Sequence, residues 1–211
     1  MLALTVWLGV WQLHRLEWKT GLLAAIDHGE ASPAVPLAAD PAPFSKVAAE
    51  GRLRDDLVAL YGAEVRPTAA GPVMGARLVT LLERPGADPV ILDRGWVPGD
   101  VRPAMPAGPV RIEAYVRPPE HTPLFGAKDD PVARRFFALD PAAIGESFGF
   151  THVAPFTLVA LGPAMPGVFP QPATALPRPA NNHLSYALTW FGLGLSLLVI
   201  FALYARTVFR P

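Results

Sequence analysis

Cysteine is absent from the 211 residues. That excludes disulfides and thiolate metal sites, and it is compatible with an oxidising compartment. A charge surplus is also missing. Lys and Arg together number 18, as do Asp and Glu, so no basic excess exists to recruit nucleic acid. Lysine occurs only at Lys19, Lys46 and Lys128, and asparagine only at Asn181 and Asn182. No glycine-rich phosphate loop appears. Nucleophiles, bases and carboxylates are scattered rather than paired for acid–base work. His121 and His152 lack ligand spacing to any partner and read as surface or loop residues. These absences point away from an enzyme.

One absence is local. From Leu184 to Ala205 the chain reads "LSYALTWFGLGLSLLVIFALYA" without a charged residue. At roughly 1.5 Å per residue this run makes a helix of about 33 Å, enough to cross a ~30 Å hydrocarbon core. Arg206 and Arg210 follow, and Tyr186, Trp190 and Tyr204 lie toward its two ends, where interfacial aromatics belong. The N-terminus is different. Its apolar part, Met1 to Leu13, is too short to span alone, and it has neither the basic start nor the small-residue cleavage site of a signal peptide. It reads as a first transmembrane helix lacking its opening turns, with its extension over residues 1–29. Trp7, Trp11, His14 and Trp18 share one face of that helix. Trp18 fits an interface anchor, with Arg15 and Lys19 snorkelling toward headgroups. Trp7 and Trp11 fit either anchoring or packing against the second helix. Arg206 and Arg210 predict cytoplasmic termini and an outer central domain.

Between the helices, residues 30–43 and 162–182 are proline-rich linkers. Residues 44–161 carry short β-like runs at 44–53, 57–61, 76–83, 89–97, 110–117, 134–139 and 156–161. Their spacing predicts an antiparallel sandwich or barrel with α+β character. "GRLRDDLV" reads as a turn with solvated charges. One short helix is expected at 141–149, with Asp140 as N-cap and Pro141 in the first turn. The whole is a membrane protein of two transmembrane helices, 1–29 and 183–205, flanking a mostly-β domain, with a cytoplasmic tail at 206–211.

Asn181, Asn182 and His183 stand at the mouth of the second helix. Asn182 suits an N-cap for a helix starting at His183, with Asn181 the alternative. A helix start disfavours a cation, and the neutral imidazole is the form that binds metal. A bland alternative is an interfacial histidine bonded to headgroups. With ~100° per residue, Ala187, Trp190, Gly194 and Phe201 fall near His183, a face on which a flat macrocycle fits. Ser185, Thr189, Gly192 and Ser196 form the opposite, small-residue stripe, suited to close packing against the first span or a partner.

Three stretches together resemble the surfeit locus protein 1 family. They are Leu8-Gly9-Val10-Trp11-Gln12 with Arg15, Trp18 and Lys19; Asp93-Arg94-Gly95-Trp96-Val97-Pro98; and Asn181-Asn182-His183-Leu184 through Tyr186-Ala187-Leu188-Thr189-Trp190-Phe191-Gly192. The resemblance implies a two-span protein of the bacterial inner membrane with a periplasmic central domain. It implies an assembly factor for haem–copper cytochrome c oxidase that binds haem a and aids its insertion into subunit I. The histidine of the family's second span, His183 here, is the proposed ligand of the haem iron, and Trp190 and Tyr186 are candidate haem contacts. Trp190 also fits interfacial anchoring. Trp11, Arg94, Trp96, Asn182 and Gly192 are candidate partner or structural residues, Arg94 and Trp96 as strand closers or a docking surface. His14 departs from the family's usual residue. Partners implied are subunit I, haem a synthase or other assembly factors, and membrane lipid, but no nucleic acid. The rival reading is a cofactor-free membrane chaperone that stabilises an oxidase assembly intermediate.

Overall fold

The structure, a computed structural model, describes residues 1–68, 71–99, 101–104, 106–121 and 126–208. The last three residues of the expected tail, Arg210 among them, lie outside this set. The chain divides into two units, Met1–Asp27 with Pro177–Pro211, and His28–Leu176.

The first unit is a helix pair. Helix α1 runs Leu2–Ala31 and α3 runs His183–Val208. Among the described residues, α3 is the one helix long and apolar enough to cross a membrane. The two helices are antiparallel. Gly194 faces Thr5 near the start of α1, and His183 faces Gln12 farther along it. Thr5, Gly9 and Gln12 recur at i, i+4, i+7 and therefore line one face of α1. All three are buried. A Cβ added at Gly9 would sit 2.6 Å from the Phe191 ring, and one at Gly194 would sit 2.9 Å from Thr5 Oγ1. Glycine at both places is what lets the helices approach so closely.

The second unit is β-rich. Its strands are β1 (Val35–Pro36), β2 (Lys46–Thr68), β3 (Gly71–Arg84), β4 (Ala87–Pro98), β5 (Pro109–Arg117), β6 (Arg135–Phe136) and β7 (Thr157–Ala160), with helix α2 (Pro141–Ser147) between β6 and β7. The pairings run β2–β3–β4–β7–β5 and return from β5 to β2, so the sheet closes on itself. β2 makes closure possible. Its first part, Lys46–Arg52, pairs with β5, and its later part pairs with β3. Of the two architectures that the strand spacing allows, the barrel-like one is observed.

The expected turn at "GRLRDDLV" is not a turn. Residues 51–58 stay within β2, which passes through an irregularity between Leu53 and Val58. The Thr80 hydroxyl of β3 donates to the carbonyls of Arg54 (2.7 Å) and Leu57 (2.9 Å) and holds the bulge. A strand can absorb extra residues this way and bend without ending. The charges are largely solvated but paired: Arg54 bonds Asp56 and Glu83.

From Gly75 in β3 and Val90 in β4 the strands are largely buried on both faces. Leu82, Val90, Leu92, Val116 and Leu158 belong to one core cluster. Val79, Leu81 and Ile91 belong to another, with Phe136, Leu139, Ile144 and Phe148 from β6 and the α2 region. That is why "ARLVTLLE" reads as a nearly continuous apolar run. Helix α2 starts as its sequence dictates: the Asp140 carboxylate accepts from Ala142 N (2.9 Å), and Pro141 fills the first position.

Candidate functional site

The site builds from the start of α3. His183 is its first residue and is half-buried. Its Nδ1 lies 2.7 Å from Gln12 Oε1 of α1. An amide oxygen only accepts, so Nδ1 carries the proton in this arrangement and donates it. No hydrogen bond to Nε2 is made among the described residues. An imidazole fixed at one nitrogen with a lone pair on the other is the arrangement that metal-binding histidines adopt. At the same end of the unit, Arg178 and Asp27 form an exposed ion pair.

Asn182 precedes the helix, and its backbone carbonyl accepts from Tyr186 N (3.3 Å) and the Ser185 hydroxyl (2.8 Å). Its side chain is exposed, and among the described residues the bonds seen at this helix start go to its carbonyl rather than to its amide. Tyr186 is exposed and Trp190 half-buried. Gly192 is exposed, with open space where a Cβ would stand.

The two faces of α3 have their neighbours settled. The His183 face, through Ala187 and Gly194, packs on α1. Phe201 of that face is exposed beyond the packed part. The stripe of Ser185, Thr189, Gly192 and Ser196 points outward, and its hydroxyls bond carbonyls of their own helix. Trp7 and Trp11 are 61% and 44% exposed, and it is Thr5, Gly9 and Gln12 that are seen against α3. Trp18 is exposed with the Arg15 guanidinium 4.4 Å from its ring centroid, an arrangement suited to an interface. His14 is exposed, and two residues beyond Gln12 it stands about 200° around α1 from the His183 contact.

Arg94 and Trp96 belong to the second unit. Trp96 is fully buried. Its indole N–H donates to Glu64 O (3.1 Å), and its ring meets Phe169 at 5.9 Å. Such a residue braces the fold and offers no docking surface. The peptide of Trp96 exchanges two hydrogen bonds with Gln171, both 2.8 Å, so part of the proline-rich 162–182 segment is tied to β4. Gly95 between them has φ 125°, and the Gln171 carbonyl occupies the place a Cβ would need. Buried Asp93 accepts from Gly95 N (2.9 Å) and from the Arg77 guanidinium. "DRGWVP" is therefore a structural knot. Arg94 is half-buried, and burial pulls its guanidinium below the ordinary value.

A polar cluster joins Arg117, Glu120 and Tyr61. Burial pulls the Glu120 carboxyl upward, but the Arg117 charge and hydrogen bonds from Arg117, Leu139 N and Tyr61 outweigh it, and the net direction is down. A glutamate held ionised by its neighbours braces strands and is poorly placed as a general acid. His121 and His152 are exposed. Among the described residues, no group of three or more His, Asp or Glu is placed to hold a metal.

Sequence reasoning singled out His183 but gave Gln12 no role. A signal was present: a polar residue on the face of Thr5 and Gly9, opposite the tryptophans.

The chain matches the model of the SURF1 family over residues 1–195. It is 30% identical to a SURF1-like protein of Rickettsia bellii over 213 residues, which is 96% of this chain and 87% of that protein. It is also 30% identical to one from Rickettsia felis over 211 residues, covering 95% and 92% of the two chains. Identity to a SURF1-like protein of Monosiga brevicollis is 25% over 222 residues, covering 97% and 84%. The match takes in α1, the strand knot, the start of α3 and the inter-helix contact as far as Gly194, and with relatives matched over nearly the whole chain, this chain belongs to the SURF1 family.

Proposed function

We propose that this protein is an assembly factor for haem–copper cytochrome c oxidase, anchored in the bacterial inner membrane by two spans, that holds haem a through His183 and passes it to subunit I. Family membership supports the oxidase part of the reading. The observation that carries the haem part is the imidazole at the start of α3, held at Nδ1 by Gln12, with no hydrogen bond to Nε2 among the described residues. Haem a is cargo here and is not altered chemically. Its iron takes a histidine ligand readily, and a single protein ligand leaves the bond weak enough to exchange. Trp190, half-buried two turns along, and Tyr186 are the nearest candidates for contact with the macrocycle.

The topology belongs to the same proposal. Helix α3 has 26 residues and α1 has 30, about 39 and 45 Å at ~1.5 Å per residue. Arg206 near the end of α3 favours cytoplasmic termini and a periplasmic central domain. The Rickettsia relatives fit a bacterial setting.

A second reading, a cofactor-free chaperone, draws on the outward stripe of Ser185, Thr189, Gly192 and Ser196. It is exposed, with open space at the Cβ position of Gly192, and its residues are small enough for another helix to approach. Colour separates the two. Protein purified in detergent from cells making haem a shows a Soret band that His183→Ala removes if the first holds. A colourless wild type that still co-purifies with subunit I favours the second.

A further inference from the structure

We propose that Gln12 is the positioning residue of His183: its amide oxygen holds the Nδ1 proton and so presents Nε2 as the ligating nitrogen. The inference rests on the carrier reading and goes a step beyond it, because it assigns which nitrogen binds and what sets the strength of the bond.

Gln12 is buried within an otherwise apolar and aromatic stretch, "WLGVWQL". An amide placed there costs free energy unless it is bonded. The ring of His183, 2.7 Å away, supplies the bond. The contact is not adventitious to one flexible side chain. Gly9 against Phe191 and Thr5 against Gly194 fix the separation and rotation of the two helices. Gln12, one further step along the same face, is thereby carried to the ring. The residue needs length as well as polarity. Asparagine, one methylene shorter, would stop short of a ring now reached at ordinary hydrogen-bond distance.

The chemistry of the acceptor bears on transfer. A carboxylate behind a histidine pulls on the Nδ1 proton, makes the ring a stronger donor and tightens its hold on iron. A neutral amide fixes the tautomer and the ring plane with a weaker pull. That combination suits a ligand that must bind and then release. No charged group makes a polar contact with the ring among the described residues.

The test has two readouts. In the haem-free full-length protein in micelles at alkaline pH, nitrogen-15 NMR of the His183 ring reports the tautomer. Wild type is expected with the proton on Nδ1. Gln12→Leu, which keeps helix propensity and volume, is expected to move toward the Nε2-protonated form, and Gln12→Glu to retain the Nδ1 form. A wild-type ring protonated at Nε2, or a tautomer unchanged in Gln12→Leu, overturns the proposal. The wild-type result decides even if the leucine variant fails to fold. In the haem a complex, Gln12→Leu is expected to weaken affinity about 10- to 100-fold. The iron–histidine stretch in the ferrous resonance Raman spectrum should rise in the order Leu, Gln, Glu. An order independent of residue 12 also overturns it. Failure of the carrier reading looks different: haem a uptake would be equal in wild type and His183→Ala, while the haem-free tautomer would still report on Gln12.

Discussion

Gly95→Ala is expected to be among the most damaging single-methyl additions in the second unit. The backbone at Gly95 has φ 125°, a region open in practice to glycine and costing about 1–3 kcal/mol for another residue. Space is the second problem. The new Cβ would overlap the Gln171 carbonyl and stand 2.7 Å from Pro172 N, and both are backbone. Relief requires moving the 171–172 segment, which breaks the reciprocal 2.8 Å pair between Trp96 and Gln171. Those bonds contribute about 0.5–1.5 kcal/mol each. The combined loss is about 4 kcal/mol, or a fall in Tm of about 8–16 °C for a domain of this size. Gly62→Ala provides the control. Gly62 also has positive φ, 67°, but nothing lies within 4 Å of its Cβ position. Its cost is about 1–2 kcal/mol from conformation alone. Thermal unfolding of the full-length protein in detergent, followed by Trp fluorescence, measures both. If Gly95→Ala melts within about 2 °C of Gly62→Ala, the close approach of the 162–182 segment is not there and the knot described for "DRGWVP" is wrong.

Three further outcomes follow from the geometry. Asp93→Ala leaves the mostly buried Arg77 guanidinium without its carboxylate and is expected to cost about 3–5 kcal/mol in urea unfolding, the range for breaking a buried pair; a loss under about 1 kcal/mol would contradict the buried pairing. Glu120 has its folded pKa lowered from 4.5, so its stabilising contribution is present above the unfolded value and is lost as pH falls through the folded one; Glu120→Gln should flatten the acid limb of the stability curve below about pH 4.5, and an unchanged limb would refute the assignment. Thr5→Cys with Gly194→Cys places two sulfur-bearing Cβ atoms about 3.7 Å apart, within the range disulfides require, so the doubly substituted protein should cross-link under oxidation as seen on a non-reducing gel, whereas Thr5→Cys with Gly192→Cys should not.

Much of this was readable from the sequence where one residue type has one physical use. Asp140-Pro141 starts α2 because a carboxylate and a proline satisfy a helix's first turn. The uncharged run after His183 becomes α3 because a helix satisfies its own backbone along a stretch of almost wholly apolar side chains. Strands at 76–83 and 89–97 were legible from β-branched and apolar runs bounded by turn residues. Other features depended on long-range partners. The bend in β2 rests on Thr80, more than twenty residues away, so a charged stretch that looked like a turn remains strand. The β2–β3 hairpin beyond Tyr61 is carried by pairing between Val65 and Met74 and between Arg66 and Val73, where alternation is weak. The tryptophan stripe of α1 fits anchoring or helix packing equally well in the sequence, and the residues seen against α3 lie on another face. Glycine, threonine and glutamine make the inter-helix contact because close approach rewards small residues, and a hydropathy pattern does not register that reward. His183 was found by position; its Gln12 partner emerged only when the two helices were brought together.

The most direct measurement is a titration of haem a into the purified full-length protein and its His183→Ala variant, read by visible absorption. Saturable one-to-one uptake by the wild type, weakened at least about tenfold in the variant, is the predicted result. Equal uptake by the two proteins would contradict the claim that this imidazole holds the haem.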